Sequence, residues 1–307
     1  MIVELDKPGW FLDEREVLKG NRVKYTATAV DISASPDPNI PRWVWKTSKP
    51  SYPLEFWSEI IAAEIGAIVG IAVPPAWPAT YQGTPGALME NFVNRERGEV
   101  LDHGGDLLLE AKPNYDRKKG KDHSVQLILQ ALTKWDLADG CYPELFRQWL
   151  YDAVIGNQDR HQDNWGLIVT LDPDGFHIVE RVAPAFDNGS SLGRELTEER
   201  IADLLGSAER LERYIDRGQA HVRWEEDGNL LEVTQEDLIA RHLKSYPEAL
   251  AIANDFLSLD ILAVAEGIRS VCHGSRLGGL LPISVEREEF IVSTVWRRVT
   301  RLQGLIE

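Results

Sequence analysis

Ile155-Gly156-Asn157-Gln158-Asp159-Arg160-His161-Gln162-Asp163-Asn164-Trp165-Gly166 is followed, after a stretch of alternating apolar residues, by Pro184-Ala185-Phe186-Asp187-Asn188-Gly189. The two runs place three oxygen donors in a fixed order: a carboxylate at Asp159, a side-chain amide at Asn164 and a second carboxylate at Asp187. That order is the one a phosphoryl-transfer site uses. Mg²⁺ is a hard cation that takes one or two protein oxygens together with phosphate oxygens and water, so Asn164 and Asp187 read as its protein ligands. Asp159 then reads as the base that orients the attacking hydroxyl and accepts its proton. The bland alternative is a well-satisfied polar surface loop, because Asp, Asn, Gly and His are turn residues. The apolar runs on both sides, Leu150 to Ile155 and Trp165 to Val169, and the later Phe-Asp-Asn-Gly element favour the functional reading.

Toward the N-terminus, Val17 to Tyr25 and Thr26 to Val30 read as a β-turn-β unit in which Gly20, Asn21 and Lys24 are placed to close over phosphates. The unit lacks G-x-G-x-x-G and any Walker-type sequence, so a plain hairpin is an equal reading. Arg42-Trp43-Val44-Trp45-Lys46 alternates like a strand with both tryptophans on one face, and Lys46 at its end can reach phosphates or simply be solvated. Leu54 to Ile68 carries a broad apolar stripe at helical spacing just after Pro53. Glu55 and Glu59 lie one turn apart on it, so either can reach a strand lysine, while a first-turn glutamate also suits the helix dipole. Gly86 to Val93 reads as a buried strand leading into a hinge. There the backbone from Glu90 to Phe92 can meet an adenine edge, and Met89 either backs the pocket or packs in the core.

Beyond about residue 95 the pattern turns helical, with helices over Ser124 to Trp135 and Pro143 to Ile155. The latter delivers the chain into the Asp159 loop. Trp165 to Leu171 and Phe176 to Val182 then alternate as paired strands across Asp172-Pro173-Asp174-Gly175. From Thr197 onward, including Glu209 to Arg217 and Glu286 to Gln303, the spacing predicts helices packed as the all-α end of a large lobe.

At 307 residues, 43% hydrophobic and 27% charged, the chain has enough apolar material for two lobes with their own cores. A net charge of −16 argues against tight nonspecific binding to nucleic acid or an anionic membrane. No apolar run reaches a membrane span, the N-terminus lacks a basic signal-like region, and Cys141 and Cys272 form no framework, which points to the cytoplasm. Lys112, Arg117, Lys118, Lys119 and Lys121 form a local basic cluster, either a solvated loop or a docking loop for an acidic partner.

Gly20 to Tyr25, Lys46, the Glu55-Phe56-Trp57 helix start, Leu88 to Phe92, Asp159-Arg160-His161 with Asn164, and Phe186-Asp187-Asn188 together resemble the HipA-like serine/threonine kinases. That family lies within a superfamily that includes phosphatidylinositol kinases, and the resemblance spans residues about 15 to 270. It implies an α+β bilobal protein-kinase-like fold, with a small β-rich N-lobe over residues 1–93 and a large, mostly helical C-lobe over 94–307. It also implies ATP and Mg²⁺ as cofactors, Lys46 on the ATP phosphates with Glu55 rather than Glu59 as its partner, and Lys46, Asp159, Asn164 and Asp187 as the catalytic set. Gly20, Asn21, Lys24, Met89, Glu90 and Phe92 would line the nucleotide site, with His161 shaping the loop. Full-length HipA toxins carry an additional N-terminal subdomain, and this chain resembles the compact members. The implied acceptor is a Ser/Thr of a protein target, and a small DNA-binding antitoxin is the implied partner. A small-molecule or phosphoinositide-type lipid kinase is the alternative, although aminoglycoside-type phosphotransferases favour His-Gly-Asp where this chain has Gly-Asn-Gln-Asp. A non-catalytic nucleotide-binding scaffold is the third reading, and it gives no chemical reason for Lys46, Asp159, Asn164 and Asp187 to occur together.

Overall fold

Alternation on one strand organises the N-terminal part. In the computed structural model, which describes residues 2–14, 23–37, 42–172 and 174–307, six strands form one sheet: β1 (Val3–Glu4), β2 (Trp10–Asp13), β3 (Lys24–Ala29), β4 (Arg42–Thr47), β5 (Ala76–Tyr81) and β6 (Thr84–Glu90). Their order is β1-β5-β6-β4-β3-β2, antiparallel except for the short β1–β5 pair. Side chains on a strand alternate between faces, so Trp43 and Trp45 are buried on one side of β4 while Val44 lies on the cleft side. Both tryptophans pack on aromatic neighbours: Trp43 meets Trp77 edge-to-face at 5.1 Å and Trp45 stacks on Tyr25 at 5.8 Å between ring centroids. Such pairs contribute roughly 0.5–1.5 kcal/mol each beyond their buried area.

Pro53 is followed by α1 (Glu55–Val69), which ends at Gly70 in the left-handed conformation (φ 72°). Apolar residues surround this helix, as expected for one buried on several sides. It packs against β5 and β6, and on its outer side against α9 (Ile261–Gly278). The C-terminal helices therefore do more than close the large lobe: α9 returns to the helix of the small one.

The large lobe contains α2 (Gly104–Ala111), α3 (Val125–Lys134) and α4 (Ala138–Ile155), then α5 (Glu198–Leu205), α6 (Ala208–Asp216), α7 (Gln235–Ser245), α8 (Pro247–Leu257) and α10 (Val285–Gln303). Helix α4 begins earlier than the sequence pattern predicted, because Pro143 is accommodated inside it. The lobe is also less purely helical than expected. A strand β7 (Val100–His103) pairs with the predicted hairpin, β8 (Gly166–Leu171) and β9 (His177–Val182), and a short hairpin, β10 (Trp224–Glu226) with β11 (Asn229–Leu231), interrupts the C-terminal helices. The β-turn-β unit expected from Val17 also shifts: the strand pairing with β3 is β2, and residues 15–22 lie outside the described residues. Across both lobes the architecture is the bilobal α+β arrangement of a protein-kinase-like fold.

Candidate active site

Both lobes contribute to one cleft. A cavity of about 280 Å³ is bounded by Lys24, Val44, Lys46, Met89 and Glu90 from the sheet, Phe92 just after it, His161 and Asn164 from the loop that follows α4, and Phe186 and Asp187 after β9. Asp159 adjoins it through Asn164, whose Nδ2 donates to the Asp159 carbonyl (2.7 Å). Gly20 and Asn21 lie outside the described residues.

Lys46 is 3% exposed, and its ammonium sits between two carboxylates. One is Asp187, with Nζ 2.6 Å from Oδ1; the other is Glu59 of α1. The lysine partner is thus Glu59 and not Glu55. The reason is position along the helix: Glu55, in the first turn, accepts from the Lys49 amide (3.2 Å) and pairs with Arg194 (2.9 Å), while Glu59, one turn further in, lies opposite β4. The other Glu59 oxygen accepts from the Asn188 amide (2.8 Å), which ties α1 to the Asp187 segment. Lys24 adds a second, more distant cation, 3.9 Å from Asp187 Oδ2.

The Asp159 loop leaves α4 at Gly156, which takes the left-handed conformation (φ 67°) that ends the helix. It is held by Arg160, 2% exposed. This guanidinium donates to both oxygens of Asp152 (2.9 and 2.7 Å), to the carbonyls of Asn164 (2.9 Å) and Phe186, and to Asn188 Oδ1 (2.7 Å). Burial opposes its charge most, but Asp152, Tyr151 and Asp187 together offset this and the guanidinium pKa is raised. One arginine thereby fixes the Asp159–Asn164 turn against the Asp187 turn. Asp187 itself is a non-glycine residue at φ 57°, a conformation retained where the surroundings enforce it, often at functional sites.

The donor set suits the expected metal. Because Nδ2 of Asn164 is engaged with the Asp159 carbonyl, its Oδ1 is the atom left to meet a cation, and Asp187 supplies a carboxylate beside it. An amide oxygen and a carboxylate are hard ligands of the kind Mg²⁺ prefers. The Asp159 carboxylate is half-buried, and one of its oxygens accepts from Ser190 Oγ (3.2 Å).

The hinge is narrower than the sequence implied. The Glu90 amide donates to the Pro75 carbonyl (3.0 Å) and the Asn91 amide to Arg42 (3.1 Å), so the Phe92 N–H is the one in that stretch without an acceptor among the described residues. The Phe92 ring lies 5.3 Å from that of Phe186 and, with Met89 and Val44, forms an apolar wall for a flat ring. His161 accepts from the Asp163 amide through Nδ1 (3.1 Å) and lies 5.8 Å from His221, consistent with a loop-shaping role. His123 stacks behind on Trp165; burial, then His221 and His161, hold its pKa well below the usual value.

Sequence reasoning missed Arg160, Asp152 and Asn188, although the Arg stands inside the quoted motif. It also missed the role of the basic cluster. Arg117 pairs with Asp163 (2.7 Å) and Asp106, and its carbonyl accepts from Gln162 Nε2 (2.5 Å), so it braces the Asp159 loop. Lys112 pairs with Asp122 (2.5 Å) and Lys119 with Asp116 (3.6 Å), which leaves little of a docking loop.

The profile of the HipA-like C-terminal domain matches residues 17–249, and the chain belongs to that family. Among solved structures it is similar to the Helicobacter pylori proinflammatory kinase CtkA, with a TM-score of 0.79 at 17% identity over 100% of this chain and 97% of that one. The Shewanella oneidensis MR-1 toxin HipA, seen with HipB and its operator DNA, gives a TM-score of 0.45 at 15% identity over 85% of this chain and 58% of that one. No curated protein matches the chain in sequence.

Proposed function

We propose that the chain is an ATP- and Mg²⁺-dependent kinase that transfers the γ-phosphoryl of ATP to a Ser/Thr hydroxyl of a protein. The observation that carries this reading is Lys46 bridging Glu59 and Asp187 in a cleft that Asn164 also lines, the Asn164 Nδ2 being engaged by the Asp159 carbonyl. Phe92, Met89 and Val44 would hold the adenine, and Lys46 and Lys24 the phosphates. Asn164 and Asp187 would hold Mg²⁺, which when bound neutralises charge on the phosphates. Asp159 orients the acceptor hydroxyl and takes its proton as the acceptor oxygen bonds to phosphorus and the bond to the ADP oxygen breaks.

The test is incubation of the purified chain and its Asp159→Asn variant with γ-labelled ATP and Mg²⁺, with and without lysate. Label on the chain or on a lysate protein, lower in the variant by about 10²–10⁴-fold while nucleotide binding persists, is the expected result. Label confined to lipid or small-molecule fractions would overturn the protein acceptor, and equal turnover in the variant would remove Asp159 from the chemistry. The family resemblance extends the proposal to a small DNA-binding antitoxin partner, checked by co-purification. Work in the cytoplasm is part of the same proposal. Among the described residues no helix is long and apolar enough to cross a membrane.

A further inference from the structure

The Asp159 carboxylate meets one hydrogen-bond donor among the described residues, the hydroxyl of Ser190, whose Oγ lies 3.2 Å from Oδ2. Ser190 follows Asp187 by three positions and belongs to neither motif run. At 3.2 Å the contact is longer than a settled O–H···O bond, as catalytic contacts commonly are before substrate draws them together. Backbone contacts pin Asp159 without aiming it. Its amide donates to Asn157 Oδ1 (3.1 Å), and its carbonyl accepts from Asn164 Nδ2 (2.7 Å) and from the His161 amide (2.8 Å). The last torsion of an aspartate is broad and roughly two-fold, so a fixed main chain leaves either oxygen able to face the acceptor.

The residues on either side of Ser190 are held firmly. Before it, Asn188 has its amide on Glu59 (2.8 Å), its Oδ1 on Arg160 (2.7 Å) and its carbonyl on Ser191 Oγ (2.6 Å). After it, the Ser191 carbonyl accepts from Ser58 Oγ of α1 (3.2 Å), and the Leu192 amide donates to the carbonyl of Ile155 at the end of α4 (3.0 Å). Leu192 is buried at φ 56°, a conformation that a non-glycine residue keeps where its surroundings enforce it. The Ser190 hydroxyl therefore reaches the base from a segment anchored to α1, to α4 and to Arg160 of the catalytic loop, the same segment that carries Asp187.

We propose that Ser190 is a positioning residue for phosphoryl transfer: by holding Oδ2 of Asp159 it presents Oδ1 to the acceptor hydroxyl. The proposal rests on the kinase reading of the cleft. With one oxygen engaged, the carboxylate has a single orientation before the acceptor arrives, and a misplacement of about 1 Å in such a contact can cost roughly 10²-fold in rate. The chemistry also favours a hydroxyl here. A lysine or arginine on Oδ2 would fix the carboxylate equally well, but its charge would weaken the base that must take the acceptor's proton. Ser190 does not line the nucleotide cavity, so its effect falls on transfer and not on nucleotide binding.

The test uses the full chain with γ-labelled ATP and Mg²⁺, water serving as the acceptor, and reads turnover beside the nucleotide Kd. Ser190→Ala should lower kcat about tenfold or more while KM for ATP and the nucleotide Kd stay within about twofold, the signature of an interaction that acts in the transition state. Ser190→Thr, which restores the hydroxyl, should recover most of the loss. Ser190→Ala added to Asp159→Asn should cost nothing further, because the two residues act through one group. If Ser190→Ala does not fold, Ser190→Cys, similar in size with a weak donor, decides: lowered kcat supports the proposal and full turnover overturns it. Wild-type turnover in Ser190→Ala, an equal loss in both Asp159 backgrounds, a loss that threonine does not recover, or phosphate mapped to Ser190 itself would each overturn the positioning role while leaving the kinase reading intact. A parent chain that forms no ADP and labels no lysate protein would overturn both.

Discussion

Two buried cations stand on opposite sides of the cleft, and they are held in opposite ways. On the sheet side Lys46, a flexible point charge, meets Glu59 and Asp187, carboxylates from two different segments. On the loop side Arg160, a rigid fork, has acceptors from Asp152, Asn164, Phe186 and Asn188 at once. The first arrangement can be rearranged when phosphate oxygens arrive, because a lysine ammonium reorients freely among anionic partners. The second cannot, since each of its contacts is a separate strut of the loop. The sheet wall holds charge available for exchange, and the loop floor holds charge as scaffold.

The sharpest way to break that contrast is Arg160→Met. It orphans the buried Asp152 carboxylate and frees two loops, and should cost about 3–5 kcal/mol in denaturant unfolding; a variant as stable as the parent would make Arg160 ordinary. A paired comparison comes next. Glu59→Gln should slow phosphoryl transfer about tenfold or more, equivalent to about 1.4 kcal/mol, by loosening Lys46. Glu55→Gln should spare transfer and lower only stability, by leaving Arg194 poorly paired; the reverse pattern would return Glu55 to the site.

A last effect is confined to acid pH. The His242 ring, among Tyr142, Phe146, Trp149 and Trp224, is held by burial at a pKa of about 3 against the usual 6.5. A depressed histidine is neutral in the folded state and takes a proton on unfolding below pH 6.5, so stability falls with acidity between that value and about 3. His242→Phe should flatten the stability–pH slope in that window by up to about 1.4 kcal/mol per pH unit, read from melts across pH. An unchanged slope would assign the acid sensitivity to His123 or His221, whose pKa values burial also lowers.

Much of this was legible. Local patterns marked α1, the β8–β9 hairpin and the Asp159–Asn164–Asp187 order, because each is written in consecutive residues. Pro78 inside β5 and the two residues of β1 gave no strand pattern, so half the sheet edge was missed. Glu55 and Glu59 share a helix face, and only the depth of β4 along α1 separates them. Arg160 was hidden for another reason: its carboxylate partner lies on α4, before the loop, and its other acceptors include backbone carbonyls, which no residue type reveals.

The wall behind α1 has a consequence for how the chain is made. Trp57 donates to the carbonyl of Leu281 (2.9 Å), a partner 224 positions later, and Gly267 of α9 sits against Ile68 and Glu64. During synthesis the helix carrying Glu59 leaves the ribosome first, whereas its outer support follows only after the loops of Asp159, Asn164 and Asp187. A nascent chain can therefore hold Asp159, Asn164 and Asp187 complete while Glu59 still lacks the backing that fixes it on Lys46, so a segment made after the catalytic loops is the one that finishes the first lobe.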